Sequence, residues 1–365
     1  MQTVFVQSVR ILWGPVQASR SLQIKSVQRS VHQHKKMMDN DKPWALISEV
    51  GEQGILEEAM DLLRQHFQLV LHQDFLRDPQ LHGPKIQVLF QWLCAPQATP
   101  ALLSSLPALK LIASGGADYD HLDLPYVTSL GLKVANTPGV VSDCTADMAM
   151  GLLLASARTI VEGHQRVMDP ETTCFPQWLG GVEVTGSTLG IIGMGKIGEK
   201  IAQRAKGFDM NVLYYNRNRR SVEVEEAVAA SYCQNMDDLL MRSDFVMLAV
   251  CLTPDTTGLI STRELGLMKP TATLISISRG PVVDQDALVE ALQARTIRGA
   301  ALDVTYPEPL PRSAHTLPLN SWRFLEHYKQ KLAMLQCDLD SSHSFDDFGL
   351  NINQYHQRLA TQPGL

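Results

Sequence analysis

Three short stretches of this chain carry residues suited to chemistry. The first is Gly193-Met194-Gly195-Lys196-Ile197-Gly198, which follows the apolar run Leu189-Gly190-Ile191-Ile192 and precedes a segment of helical spacing that runs towards Lys206. In a strand–turn–helix of this kind the first glycine permits the tight turn. The second lets backbone approach a pyrophosphate, and the third lets the helix pack on the strand. The helix start also presents free N–H groups to phosphate charge. The six residues are therefore expected to hold a dinucleotide. The second stretch, Tyr215-Asn216-Arg217-Asn218-Arg219-Arg220, stands about 20 residues further on, where an NAD-selective site places Asp or Glu against the ribose hydroxyls. Here no acid occurs until Glu223. A guanidinium grips a 2′-phosphate that a carboxylate would repel, so Asn216, Arg217 and Arg219 are expected to favour NADPH, with NADH bound more weakly.

The third stretch, Ile275-Ser276-Ile277-Ser278-Arg279-Gly280, puts an arginine just past the carboxyl end of an apolar run. Open α/β sheets bind their ligands at that edge. One arginine there can orient a carboxylate and polarise an adjacent carbonyl, which are the two groups of a 2-keto acid.

The elements that must position these residues are written in the apolar periodicity. Strand-like runs at Ala45–Ser48, Phe67–Leu71, Gln87–Phe90 and Lys110–Ala113 alternate with helical spacing such as Gly54–His66. A helix is expected over Thr145–Ile160, with Ser142 or Asp143 as its N-cap. A second series of strands follows at Thr188–Ile192, Asn211–Tyr215, Phe245–Val250, Thr273–Ile277 and Ala300–Val304. Strands alternating with helices imply parallel sheets, and the second series describes a doubly wound nucleotide-binding domain.

With these stretches in place, the chain resembles the D-isomer-specific 2-hydroxyacid dehydrogenases, in particular their glyoxylate and hydroxypyruvate reductase branch. The likeness runs from about Leu102 to Pro311. It includes Asn136-Thr137-Pro138, Thr145-Ala146-Asp147, the glycine turn, Leu252-Thr253-Pro254, Ile277-Ser278-Arg279-Gly280, Leu302-Asp303-Val304 and Pro307-Glu308-Pro309. The resemblance implies an α/β fold in which a Rossmann doubly wound sheet is inserted in a smaller flavodoxin-like substrate domain. It implies reduction of small 2-keto acids such as glyoxylate or hydroxypyruvate, and a homodimer. Matched residue by residue, Arg279 is the substrate-orienting arginine and Glu308 the acid that orients a proton-donating histidine. Backbone N–H groups of Ala117 and Asp118 face the substrate carboxylate, while Cys251, Thr253, Ile277 and Asp303 line the nicotinamide side of the cleft.

Two departures from the family pattern stand out. The substrate loop reads Gly115-Gly116-Ala117-Asp118-Tyr119-Asp120, with Asp118 where the family carries glycine. If that carboxylate points inward it repels an anionic substrate; if it points to solvent little changes. The second departure follows Glu308, where the family's apolar strand and Pro-His-Gly-Ser/Thr run have no counterpart. His327 matches the catalytic histidine in register only. Two readings therefore stay open: an NADPH-dependent reductase, or a catalytically impaired isoform or regulatory dinucleotide-binding protein of the same family.

Composition sets the outer bounds. The chain has 365 residues, 45% hydrophobic and 19% charged, with a net charge of -6. Such a balance suits a two-domain globular protein and argues against a nucleic-acid-coating surface. Six cysteines without a C-x-x-C pair suggest neither a metal site nor a disulfide framework. The most apolar stretch, Met148–Ala157, is far short of the roughly 18 to 20 residues that span a bilayer. Residues 1–36 hold six Lys or Arg and no acid, as in a transit peptide, so a cytoplasmic location is expected, or a mitochondrial one if that leader is an address. The expected division is a leader over 1–38, a substrate domain over 39–141, an NADP-binding domain over 142–311 and an atypical tail over 312–365.

Overall fold

The computed structural model describes residues 42–308 apart from 52–54, 56 and 93. The basic leader, His327 and the tail lie outside the described residues. Within them are two parallel sheets. The first contains β1 (Trp44–Ile47), β2 (Gln68–Leu71), β3 (Ile86–Gln91), β4 (Leu111–Ser114) and β5 (Lys133–Ala135) in the order β2-β1-β3-β4-β5. The second contains β6 (Thr188–Ile192), β7 (Asn211–Tyr215), β8 (Ala230–Tyr232), β9 (Phe245–Leu248), β10 (Thr273–Ser276) and β11 (Gly299–Leu302) in the order β11-β10-β9-β6-β7-β8. The first order is that of a flavodoxin-like sheet and the second that of a dinucleotide-binding sheet. Both α/β layers of the expected fold are therefore present.

The central strands of the second sheet are apolar on both faces because helices cover both. Leu189, Ile191, Val212, Tyr214, Phe245 and Met247 meet the helices Ser142–Ala157 and Lys196–Lys206. Ile192, Leu213, Val246, Leu248 and Leu274 meet Leu239, Leu265, Leu288 and Leu292 on the opposite side. The first two of these helices are also joined at the surface, where Arg204 Nε donates to Asp147 Oδ1 at 2.6 Å.

The helix expected over Thr145–Ile160 spans Ser142–Ala157 instead. It ends at Arg158 because Thr159 adopts a left-handed backbone (φ 48°), after which a second helix, Ile160–Met168, sets off at 61° to the first. Among the described residues no single helix is long and apolar enough to cross a membrane.

Register decides where the chemistry falls. Ile192, Leu248 and Ser276 are level across β6, β9 and β10. Each next residue continues the ladder by one bond: Ala249 N donates to Ile192 O (2.9 Å), Ile277 N to Leu248 O (3.3 Å) and Asp303 N to Ser276 O (2.8 Å). Gly193, Ala249, Ile277 and Asp303 thus lie side by side along one carboxyl edge. The crevice opens between β6 and β9, where the winding direction reverses.

Leu153 is fully buried in the layer beneath this edge. Leu153→Ala should destabilise the protein by about 2 to 5 kcal/mol through the cavity it leaves, read as a lowered urea midpoint at unchanged slope.

Candidate dinucleotide and substrate site

The three turn glycines meet three different surroundings. Gly193 has φ 102°, and a Cβ on it would stand 2.5 Å from the Ala249 carbonyl oxygen. A Cβ on Gly198 would collide with the carbonyl of Gly193. Gly195 has nothing within 4 Å of the corresponding position. Protein packing therefore requires the first and third glycines, whereas the second borders open space at the N-terminus of the helix Lys196–Lys206. That geometry fits a pyrophosphate. Met194 is buried in the core, Ile197 packs against it, and the exposed Lys196 lies along Gly139 in the connection between the sheets. Asn216 braces the turn: its Oδ1 accepts from Met194 N (3.3 Å), and its Nδ2 donates to Asn218 O (2.8 Å).

The arginines beyond β7 divide. Arg219 forks onto Glu225, Nε to Oε1 at 2.9 Å and Nη2 to Oε2 at 2.8 Å, and lies over the Tyr232 ring at 5.5 Å. Tyr214 OH donates to the same carboxylate at 2.5 Å and accepts from Arg220 N. Arg217 is exposed and has no ion-pair partner among the described residues. Arg219, expected as a phosphate ligand, is thus engaged in holding the turn. Arg217 is left as the free guanidinium, with no carboxylate at the end of β7 to oppose it.

Arg279 stands past β10 as expected, and the structure brings the substrate loop to it. Its Nη2 donates to Asp118 Oδ2 at 2.6 Å, its Nε to Asp120 Oδ2 at 3.2 Å and its Nη1 to Ser278 O at 2.9 Å. Burial pulls the Arg279 pKa down, but Asp118 and then Asp120 outweigh it and hold it above the usual arginine value. Asp118 therefore points inward. Ala117 O accepts from Asn136 Nδ2 at 2.5 Å, Thr137 Oγ1 donates to Gly115 O at 3.1 Å and Thr137 N to Gly116 O at 3.0 Å. The Asn136-Thr137-Pro138 segment thus pins the loop by its carbonyls. The N–H groups of Ala117 and Asp118 make no hydrogen bond among the described residues.

The cleft wall follows the strand ends. Ile277 is buried, Val250 N is held by Ser278 Oγ at 3.0 Å, and Thr253 is fixed by Thr256. Cys251 Sγ lies 3.8 Å from Asp118 Oδ1. Burial, and then the Asp118 charge, push the Cys251 thiol up, so it stays neutral near pH 7. Glu308 Oε1 accepts from Thr305 N at 2.9 Å. Its turn packs so closely on Gly280 that a Cβ there would strike the Thr305 carbonyl and stand 2.8 Å from Tyr306 N. Arg279 and Glu308 thus belong to abutting turns.

Sequence reasoning missed the grip of Asp120 on Arg279 and the nearby His121, whose Nε2 pairs with Gln91 Oε1 at 3.1 Å. Burial lowers the His121 pKa despite Asp120 beside it, so it is neutral at pH 7 and poorly suited to give a proton. The Asp-x-Asp spacing was a usable signal, because alternate residues of an extended segment point the same way.

Comparison with known proteins agrees with this arrangement. Residues 150–328 match the family described as D-isomer specific 2-hydroxyacid dehydrogenase, NAD binding domain. The glyoxylate reductase of Pyrococcus horikoshii is 47% identical over 213 residues, 57% of this chain and 63% of that protein. That of Pyrococcus furiosus is 38% identical over 264 residues, 70% of this chain and 78% of that protein. The crystal structure of a glyoxylate reductase from Paecilomyes thermophila superposes with a TM-score of 0.64 at 27% identity, covering 82% of this chain and 95% of that one. The chain belongs to the D-isomer-specific 2-hydroxyacid dehydrogenase family. The residues that match the NAD binding domain include the glycine turn at 193–198.

Arg219, followed by Tyr214, holds the Glu225 carboxyl near 2, against its usual 4.5. A depressed folded value means that the stabilisation is complete above about pH 4.5 and is lost as pH falls towards 2. Glu225→Gln should therefore lower the urea midpoint at pH 7 and shallow its decline between pH 4.5 and 2.5.

Proposed function

We propose that this protein is an NADPH-dependent reductase of small 2-keto acids, glyoxylate and hydroxypyruvate foremost, yielding 2-hydroxy acids. The observation that carries the reading is Arg279 at the carboxyl edge of β10, bonded to the loop in which the N–H groups of Ala117 and Asp118 make no hydrogen bond among the described residues. Those donors and the guanidinium suit a carboxylate, and the guanidinium can also polarise the neighbouring carbonyl oxygen. The nicotinamide supplies the hydride when bound. Cys251, Thr253, Ile277 and Asp303 form the wall against which its ring would lie. Glu308, fixed in the turn abutting Gly280, is the positioning acid for a histidine beyond the described residues, with His327 the candidate by register. Preference for NADPH over NADH rests on Arg217, which has no ion-pair partner among the described residues, supported by Asn216 at the turn.

Residues 39–141 form the substrate domain in this reading and 142–311 the NADP-binding domain. The helix starting at Ser142 packs with the second sheet, which supports that boundary. A homodimer is supported by a run of exposed apolar side chains, Ile160, Val167, Met168, Phe175, Trp178 and Val182, of the kind that protein contacts cover. The alternative, dinucleotide binding without turnover, is favoured by the missing Pro-His-Gly-Ser/Thr run, since loss of a general acid costs about 10²- to 10⁴-fold in rate and spares cofactor affinity.

Steady-state NADPH oxidation with glyoxylate and hydroxypyruvate, run beside a fluorescence titration of NADPH, separates these readings. Turnover is expected; tight binding with no turnover selects the alternative. Arg217→Ala should raise the Michaelis constant for NADPH about tenfold or more, as loss of a charged hydrogen bond does, while that for NADH changes little. Equal effects on both cofactors would falsify the 2′-phosphate assignment.

A further inference from the structure

The outward fork of Arg279 is already filled. Nη2 and Nε are the pair of donors with which a guanidinium takes a carboxylate in bidentate fashion, and they meet Asp118 Oδ2 at 2.6 Å and Asp120 Oδ2 at 3.2 Å. The third nitrogen, Nη1, is committed to Ser278 O. A keto acid seated on this arginine would therefore meet a resident carboxylate of the same charge in the same place. Asp118 makes the shorter bond, and its side chain is 35% exposed, so it can rotate to solvent. It also comes from the loop after β4, whereas Arg279 follows β10, so the pair links the two sheets.

We propose that Asp118 is an internal competitor for the substrate-carboxylate seat: a specificity-determining residue that occupies Arg279 until a keto acid displaces it. The proposal rests on the reading of Arg279 as the substrate anchor. Before substrate binds, the Asp118 carboxylate neutralises the guanidinium and clasps the cleft. On binding, the incoming carboxylate takes Nη2 and the Ala117 and Asp118 N–H groups, and the Asp118 side chain turns away. The ion pair it gives up is subtracted from the affinity for substrate. Partly exposed pairs of this kind correspond to about two- to fivefold in a binding constant.

The test uses the full chain with NADPH bound, comparing Asp118→Asn and Asp118→Gly with the parent. Oxamate, a non-reducible isostere of pyruvate, is titrated by NADPH fluorescence, and glyoxylate kinetics are measured in parallel. Both variants should bind oxamate about two- to fivefold more tightly and show a matching fall in the glyoxylate KM. In an Arg279→Gln background the gain should vanish, which a merely structural role for Asp118 would not produce. Unchanged or weaker oxamate binding in variants that keep the parental melting temperature and NADPH affinity overturns the proposal alone. If parent and variants bind NADPH but none binds oxamate or reduces glyoxylate, the reading of Arg279 as a keto-acid anchor fails and takes the proposal with it.

Discussion

The ion pair between Arg279 and the Asp118-Tyr119-Asp120 segment is the contact through which the two sheets share one site. Each partner is placed by the end of a parallel strand in its own sheet, and only the pairing needs both. Parallel strands aligned in register present their carboxyl ends together, so single residues at 193, 249, 277 and 303 form a row without any long loop. Arg279 lies two residues past Ile277, beyond the inner strand β10 of that row. The carboxylates come from across the cleft, and half-burial makes their attraction stronger than it would be in water.

The glycine turn shows the same economy on the cofactor side. Two glycines are demanded by the protein's own atoms, the Ala249 carbonyl and the Gly193 carbonyl, whereas the remaining one borders open space. A single hexapeptide thus encodes a bend, a helix contact and an uncrowded helix start. The turn beyond β7 divides its arginines between two surroundings. One guanidinium is tied down by a buried carboxylate and a tyrosine, and this rigid base carries the other into solvent.

Much of this was legible in the residues because buried parallel strands are continuous apolar runs and their turns need glycine. The strands β6, β7, β9, β10 and β11 fall within a residue or two of expectation. β5 and β8, three residues each, are too short to show a period. The helix at Ser142 was set three residues late at both ends, since nothing in the pattern reveals that Thr159 takes a left-handed backbone. The site was legible in its strand-end positions and less so in its pairings. That Arg219 rather than Arg217 meets Glu225 depends on the path of the next helix. That Asp118 reaches Arg279 depends on the meeting of two domains. Neither leaves a periodic trace along the chain.

The abutment of Gly280 on Thr305 and Tyr306 has a mechanical consequence. There is no room for even a methyl group between the arginine's turn and the turn bearing Glu308. Any side chain at position 280 would therefore wedge the two turns apart and carry the guanidinium with one of them.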